Sequence, residues 1–109
     1  MLIKIQEKDS RRQEANEMGE GRIGTAGRDK PQDCLVTVDL ERKRGINITL
    51  NSKMEKMFGE AIHKAVEDAL KEVGVKAADV TVDDFGSLDF TIKARTKTAV
   101  ARARGDENE

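Results

Sequence analysis

The chain has 109 residues, with 20 Lys and Arg against 21 Asp and Glu and a formal net charge of −1. This balance predicts one small domain and excludes an indiscriminate nucleic-acid binder, because phosphate affinity needs many uncompensated Lys and Arg. A single cysteine excludes an internal disulfide framework, and the lack of an apolar run suited to a signal peptide or membrane span predicts a cytoplasmic protein without a membrane partner.

The first 30 residues are charged and glycine-rich, and few of them are apolar. Gly19, Gly21 and Gly24 match G-x-G-x-x-G, a phosphate-binding pattern that requires a strand before it and an apolar helix after it. The sequence offers neither, so these glycines are interpreted as a flexible tether. We therefore predict a flexible arm over residues 1–30, a folded domain over 31–105 and a disordered acidic tail over 106–109.

Two segments with alternating apolar residues follow the arm. CLVTVDL and INITL each predict a half-buried strand. The short link between them, ERKRG, ends in a glycine, which predicts an antiparallel hairpin. Cys34 belongs to the inward-facing set, so its thiol is predicted to be buried and unreactive.

One long amphipathic helix is predicted over residues 54–73, where apolar residues recur at i, i+3, i+4 and i+7. Ser52 and Glu55 form a candidate capping box at its start, and Gly74 is the expected left-handed residue at its end. The only histidine, His63, falls on the polar face and is interpreted as solvated. One histidine and one cysteine cannot assemble a nitrogen and sulfur metal site within one chain.

After the helix, DVTVDD and LDFTIKAR predict two more strands joined by a DFGS turn. The residues of these strands that are predicted to face inward are Val80, Val82, Leu88, Phe90 and Ile92. The predicted fold class is α+β: a small ββαββ unit with a mostly antiparallel sheet and one long helix on one face. The segment TKTAVARARG is compatible with a short C-terminal helix. Asp83, Asp84 and Asp89 are interpreted as turn and solvent-facing residues, because no acid–base pair or ligand spacing accompanies them.

Basic residues are frequent near the end of the folded segment. Alternate strand positions followed by helical spacing would bring Lys93, Arg95 and Arg102 to one surface, which could dock an acidic partner or a phosphate. Ordinary solubilising charge is the alternative interpretation. No residue combination supplies a nucleophile, a base and an oxyanion donor, so the sequence predicts a binding or carrier domain and not an enzyme.

Three blocks of the sequence, in order, resemble the acyl carrier protein of citrate lyase, its gamma subunit: DCLVTVDL, INITLNSKMEKMFGEAI and VTVDDFGSLDFTIKARTKTAVARA. The acyl carrier subunit of malonate decarboxylase is a more distant candidate with a similar DFG turn. The resemblance implies a chain that presents an acetyl or citryl thioester, on a phosphoribosyl-dephospho-CoA arm, to transferase (alpha) and lyase (beta) subunits. Tethering would raise the effective concentration of the thioester at both sites.

The family's attachment serine lies one or two residues before the aspartate that opens the first strand. Here that aspartate is Asp33, and the two positions are Pro31 and Gln32, neither of which has a hydroxyl. The nearest hydroxyl is that of Thr25, which would be the substitute. The chain would then be a divergent or engineered carrier, a carrier modified elsewhere, or a non-carrying paralogue that keeps the fold and docking surface. A small protein-interaction module without thioester chemistry is the alternative from another functional class.

Overall fold

The computed structural model describes residues 22–105. These residues form, in chain order, β1 (Ile23–Gly27), β2 (Cys34–Asp39), β3 (Gly45–Ser52), α1 (Glu55–Glu72), β4 (Ala77–Asp84) and α2 (Asp89–Ala103). The predicted α+β class is confirmed, whereas the predicted element order is not. Gly19, Gly21, the remainder of the predicted arm before residue 22 and the predicted acidic tail lie outside the described residues.

The four strands form one sheet in the order β1-β2-β4-β3. β2 pairs antiparallel with both β1 and β4, whereas β3 runs parallel to β4. The predicted hairpin between β2 and β3 is therefore wrong, because β4 lies between them. β4 takes an interior position in keeping with its inward side chains Ala78, Val80 and Val82, which are almost completely buried. Alternation identifies a strand, but it does not identify the strand's neighbour.

Both helices pack on the same face of the sheet. α2 contacts β1 and β2, and α1 contacts β3 and α2. The side chains of Cys34, Val36 and Val38 point into this layer and are fully buried, as their alternation predicts. From the helices, Leu70 and Ile92 complete the core. Within residues 22–105, neither helix has the length and apolar character needed to cross a membrane.

α1 is the predicted amphipathic helix, but its first turn differs from the prediction. Its buried residues keep the expected spacing: Ile62, Ala65, Val66, Ala69 and Leu70. Met57 and Phe58, predicted to face inward, extend beyond the core and are 70% and 48% exposed. The capping box is absent, since Met54 is the N-cap and no side chain caps the helix. Gly74 follows the helix with φ +76°, as predicted.

The segment LDFTIKAR, predicted as a strand, instead leads into and begins α2. Leu88 and Phe90, predicted to face inward, are 62% and 70% exposed. The residues that α2 buries have helical spacing: Ile92, Thr96, Ala99, Val100 and Ala103. Alternation in this segment covers only a few residues, and a threonine on the buried face hides the helical period. The Thr96 hydroxyl donates a hydrogen bond to the Ile92 carbonyl at 2.7 Å, which satisfies it inside the core.

Residues 23–27, predicted to belong to the flexible arm, form the edge strand β1. Its position depends on Gly24, because a Cβ there would lie 2.1 Å from the Ala99 carbonyl oxygen and 2.4 Å from the Ala103 nitrogen. Only glycine permits two backbones to approach so closely. Gly24 is therefore a packing residue between β1 and α2. Alternation could not predict this strand, since one of its two inward residues is a glycine.

Candidate functional site

Pro31 and Gln32, the attachment slot that the resemblance implies, form the exposed apex of a tight turn before β2. The Asp33 amide donates to the Lys30 carbonyl at 3.0 Å, which closes a four-residue β-turn. Gln32 has φ +68°. Proline at the first central position and a positive φ at the second define a type II turn. We call residues 30–33 the slot turn.

The base of the slot turn is fastened to the loop after β4. The Gln32 amide donates to the Phe85 carbonyl at 2.8 Å, and the Phe85 amide donates to the Asp33 carbonyl at 3.0 Å. The Arg95 guanidinium holds the Asp33 carboxylate through two hydrogen bonds of 3.1 and 2.9 Å. The turn therefore presents an exposed apex on a fixed base.

Asp33 is buried, and its charged form is stabilised from two directions. The Cys34 amide donates to Asp33 Oδ1 at 2.7 Å. This hydrogen bond, followed by that from Arg95, holds the pKa of Asp33 below its usual value of 3.8. The carboxylate is thus a charged anchor that ties α2 to the slot turn.

Replacing Gln32 by glycine should stabilise the protein slightly. A left-handed conformation costs a non-glycine residue about 1–2 kcal/mol, and the greater freedom of glycine in the unfolded chain cancels part of the gain. We expect a net gain of about 0.5–1 kcal/mol in the free energy of unfolding, measured by urea denaturation. Gln32→Ala is the control, because alanine has the same conformational cost and should leave stability unchanged. A loss of stability in Gln32→Gly would contradict this account.

A groove of about 630 Å³ lies beside the slot turn. It runs between this turn, the ends of β3 and β4, and the start of α1. Its lining includes Pro31, Ser52, Met54, Asp84 and Phe85. Parallel pairing places Ser52, the last residue of β3, directly beside Asp84, the last residue of β4.

Asp84 connects two serine hydroxyls. Ser52 Oγ donates to Asp84 Oδ2 at 3.1 Å, and Ser87 Oγ donates to Asp84 Oδ1 at 2.9 Å. The Ser87 amide also donates to Oδ1 at 3.1 Å. The DFGS segment is a bend between β4 and α2 and not the predicted turn between two strands. Asp84 is a buried hydrogen-bond acceptor and not the predicted turn or solvent-facing residue. Within residues 22–105, no group of three or more His, Cys, Asp or Glu could hold a metal ion.

Exposed apolar side chains cluster at the end of the molecule that holds the slot turn. Within residues 22–105, eight large hydrophobic residues are exposed, and six of them belong to the start of α1 or to the segment from the end of β4 into α2: Met54, Met57, Phe58, Phe85, Leu88 and Phe90. The C-terminal ends of β3 and β4 lie beside the N-terminal end of β2. All six residues therefore lie at the same end of the molecule as the slot turn. We call this set the apolar end. Such clustering is typical of interaction surfaces.

Other candidate residues lie away from the groove. Cys34 is fully buried, and burial raises the pKa of its thiol, in agreement with the predicted inert role. His63 is half-buried on α1 and lines a separate shallow surface depression with Glu60 and Lys64. Thr25 lies in the middle of β1 and is exposed. The structure does not bring Thr25 to the slot turn.

The three predicted docking residues all lie on α2, and each contacts another element. Lys93 Nζ is 3.1 Å from a carboxylate oxygen of Glu72 on α1. Arg95 holds Asp33, and Arg102 donates to the Thr25 carbonyl at 2.9 Å. These contacts fasten α2 to α1, the slot turn and β1. Docking through these residues stays a prediction, to which the structure adds a stabilising role.

Comparisons with known proteins agree with the predicted resemblance. Residues 22–103 match the acyl carrier family model described as "Malonate decarboxylase delta subunit (MdcD)". A citrate lyase acyl carrier protein of Streptococcus mutans is 51% identical over 78 residues, which are 72% of this chain and 76% of the relative. One from Fusobacterium nucleatum is 40% identical over 81 residues, 74% of this chain and 86% of the relative.

These matches show that the chain belongs to the class of small acyl carrier proteins. The chain belongs to the family of citrate lyase acyl carrier proteins, the gamma subunits. The resemblance predicted from the three sequence blocks is confirmed, and the matching family model is named after a subunit of malonate decarboxylase, the enzyme of the second predicted candidate.

Sequence reasoning missed the groove and the contact between Ser52 and Asp84. From the sequence alone, Ser52 is predicted to cap a helix and Asp84 to lie in a turn. Their contact depends on the parallel register of β3 and β4, which are separated by a whole helix in sequence. Neither alternation nor helical spacing indicates which residues of two distant strands pair. The family resemblance was therefore the only feature of the sequence that pointed to this end of the molecule.

Proposed function

We propose that this chain is the acyl carrier subunit of a citrate lyase-type complex and is not itself the catalyst. Membership of the acyl carrier family is the observation that carries this proposal. The form of the slot turn is in keeping with it: the apex, Pro31 and Gln32, is exposed, and the base is held by the backbone of Phe85 and by Arg95. A carrier presents its load outside its core and in a defined position, so that partner active sites can reach it.

We propose transferase (alpha) and lyase (beta) subunits as partners, acting in the cytoplasm and contacting the apolar end. The load of a carrier must enter the active site of a partner, so the partner's contacts surround the attachment region. The apolar end lies at the same end of the molecule as the slot turn, and its aromatic side chains could anchor in apolar pockets. We propose Lys93, Arg95 and Arg102 as a flanking contact that would favour acidic partner surfaces.

The prosthetic group of the family would supply the thiol that carries the acyl group. The slot turn does not fit that group, because a phosphodiester to the chain requires a hydroxyl and neither Pro31 nor Gln32 has one. The adjoining groove does contain a hydroxyl, that of Ser52.

Removing two exposed anchors should weaken partner binding. We expect the double variant Leu88→Ser/Phe90→Ser to bind the purified large subunits about tenfold more weakly or worse, since exposed apolar anchors at an interface are commonly hot spots. Binding is measured by calorimetry with the full chain. Both residues are exposed in the free protein, so the melting temperature should change little.

A matched control uses an exposed apolar residue at the opposite end of the sheet. Ile23 is 40% exposed and opens β1, which begins where β2 ends. Ile23→Ser should leave the affinity within about twofold of the original, as is usual outside hot spots. Equal losses in both variants would contradict docking through the apolar end. No binding by the unchanged chain would contradict the carrier proposal itself.

A non-carrying paralogue is the second candidate, favoured by one observation. Pro31 suits the first central position of a type II turn and so favours the conformation of the slot turn. Neither Pro31 nor Gln32 has a hydroxyl that could be modified. Such a chain would keep the docking surface and occupy the carrier's place in the complex. Intact mass of the protein from its native host distinguishes the candidates, because only the carrier has an added group.

A further inference from the structure

β3 is an edge strand with an open side. The sheet order is β1-β2-β4-β3, so among residues 22–105 β3 pairs with β4 alone. An open edge presents a row of backbone N–H and C=O groups that can pair with a further strand. β1, at the other edge, has five residues, whereas β3 has eight. β3 therefore offers the longer site for an added strand.

β3 lacks the features that usually protect an open edge. Its sequence, GINITLNS, has no charged residue and no proline, although 38% of the whole chain is charged. Natural edge strands use charged side chains and proline against unwanted pairing. The Asn47 and Asn51 side-chain amides donate to the Asp79 and Asp83 carboxylates at 3.1 and 2.8 Å. These contacts hold both side chains toward β4 and leave the edge open.

An apolar margin runs along the same edge. Ile46, Ile48 and Leu50 alternate on the face of β3 that packs toward the helices. Ile46 is 39% exposed, and Ile48 and Leu50 are only partly buried, whereas Val80 on the neighbouring β4 is almost completely buried. A further strand with apolar residues at alternate positions would cover this margin.

Basic residues flank β3 at both ends. Arg42, Lys43 and Arg44 precede the strand, and Lys53 follows it. If two copies of β3 paired antiparallel over their full length, Arg44 of each copy would lie opposite Lys53 of the other. Like charges in opposed positions are destabilising, so the charges disfavour self-pairing. They favour an occupant that has acidic residues beside Arg42, Lys43 and Arg44.

Residues 1–9 of this chain, MLIKIQEKD, have the sequence of such an occupant. They contain apolar residues at alternate positions, followed by acidic residues also at alternate positions: Met1, Ile3 and Ile5, then Glu7 and Asp9. Lys4 and Lys8 fall on the opposite face of a strand with this alternation. Isoleucine is among the residues that favour strands.

The connection from this segment to β1 is long enough to reach β3. The pairs Ile23–Asp39, Asp39–Asp79 and Asp79–Asn47 form one row across the sheet. β1 and β3 therefore begin at the same end of the sheet, about 14 Å apart across three strand spacings. Residues 10–21 can extend over up to roughly 40 Å.

We propose that residues 1–9 pair antiparallel with β3 and add a fifth strand to the sheet. This direction needs the shorter connection, because residue 9 then lies at the end where β1 begins. It also places Glu7 and Asp9 beside the basic residues that precede β3, and Ile3 and Ile5 along the apolar margin. The predicted flexible arm would then be limited to the connecting residues 10–21. The inference goes beyond the proposed carrier function and does not depend on it.

Hydrogen exchange of the full chain, followed by NMR, tests the proposal. Alternate backbone amides of β3 point to the open edge, because the others are bonded to β4. In the unchanged chain these edge amides should exchange slowly. Ile3→Pro/Ile5→Pro removes two amides and disfavours the added strand, so the edge amides should exchange at least about tenfold faster. Glu14→Pro/Asn16→Pro, in the connection, is the matched control and should leave their protection unchanged.

A charge variant tests the direction of the added strand. Glu7→Lys/Asp9→Lys should also speed exchange at the edge amides, because it places positive charges beside Arg42, Lys43 and Arg44. Glu14→Lys/Glu17→Lys changes the net charge equally in the connection and should not. Opposed residues of antiparallel strands approach to about 4.5 Å between Cα atoms, so Hα–Hα contacts between residues 3–7 and β3 are expected in the unchanged chain.

Three results would overturn the proposal. The first is fast exchange of the edge amides in the unchanged chain. The second is protection that Ile3→Pro/Ile5→Pro leaves intact: a second copy is then the occupant if protection rises with protein concentration, and a partner's strand if protection requires the large subunits. The third is a set of contacts typical of parallel pairing. Binding of the large subunits by the same variants reports separately on the carrier function.

Discussion

Gly24→Ala should be among the most destabilising single substitutions in this domain. The added methyl group would lie 2.1 Å from the Ala99 carbonyl oxygen and 2.4 Å from the Ala103 nitrogen, which are backbone atoms of α2 and cannot rotate away. Overpacking of this kind costs about 3 kcal/mol. For a domain of this size we expect the melting temperature to fall by roughly 12–24 °C, measured by circular dichroism.

The strain can also be relieved if β1 separates from the sheet and from α2. The loss in the free energy of unfolding therefore cannot exceed the free energy that docking of β1 contributes. β1 is an edge strand that pairs only with β2. If it separates, amide exchange at Ala26 should become fast while the amides of β4 stay protected. The two measurements together show whether the whole domain or only its edge strand absorbs the added methyl group.

Gly74→Ala is the matched control for the same change in residue type. Gly74 has φ +76°, and a Cβ there meets no atom within 4 Å. Its cost should be that of the left-handed conformation alone, about 1–2 kcal/mol. If both variants lose the same stability, the close packing of β1 on α2 has no energetic weight, and the structural account of Gly24 is wrong.

Gly24 also illustrates where sequence reasoning reached its limit. The glycines of residues 19–24 resemble a phosphate-binding motif but lack its flanking strand and helix, so the sequence alone favours a flexible tether. A glycine required for close packing and a glycine that confers flexibility look identical in a single sequence. Only the position of α2 distinguishes them, and the sequence predicts the first half of α2 as a strand and only its second half as a short helix.

The parts of the fold that were predicted correctly have long, unbroken periods. Residues 54–73 keep the helical spacing over five turns, and Cys34, Val36 and Val38 keep the strand alternation. The order of strands failed because pairing is decided by contacts distant in sequence. β4 lies between β2 and β3, with α1 as the crossover that connects the parallel strands β3 and β4, and no local sequence pattern indicates this arrangement.

The candidate site was predicted in part for the same reason. The resemblance predicts the attachment slot at Pro31 and Gln32, and neither residue has a hydroxyl. In the structure these two residues lie at the apex of an exposed turn. The groove combines the slot turn with the ends of β3 and β4 and the start of α1. Its assembly follows from the topology, so Ser52 was interpreted as a helix cap.

Arg95→Met should loosen the slot turn and destabilise the domain. Methionine keeps part of the apolar stem but removes both hydrogen bonds to the Asp33 carboxylate, which remains charged and mostly buried. Loss of one member of such a pair is costly because its partner keeps an uncompensated charge. We expect the melting temperature to fall by roughly 5 °C or more, with faster amide exchange at Gln32 and Phe85.

Arg28→Met is the matched control. Arg28 is the second cation near Asp33, but its closest approach is 3.7 Å and its side chain is 69% exposed. Exposed ion pairs contribute little, so this variant should melt within about 2 °C of the unchanged protein. Equal effects of the two variants would show that net charge near Asp33, and not the two-point contact with Arg95, holds the slot turn.

The dependence on pH provides a separate test with a definite sign. The pKa of Asp33 is lowered in the folded protein, chiefly by the Cys34 amide and then by Arg95. The charged carboxylate therefore adds stability above its unfolded pKa, and this contribution is lost as the pH falls through the lower folded value. Arg95→Met removes one cause, so the gap in stability between the two proteins should be widest near neutral pH and should shrink below about pH 4. A gap that is constant with pH would mean that Arg95 acts through packing alone.

The same variant separates the two roles assigned to Arg95. If Arg95 contacts a partner directly, Arg95→Met should weaken binding even when the slot turn is intact, as judged by exchange at the Gln32 amide. If Arg95 acts by positioning the turn, affinity and protection of that amide should fall together. Arg102→Gln completes the comparison, because Arg102 belongs to the predicted docking set but contacts β1 and not the slot turn. Weaker binding in Arg102→Gln with unchanged protection of Gln32 would favour direct docking through α2.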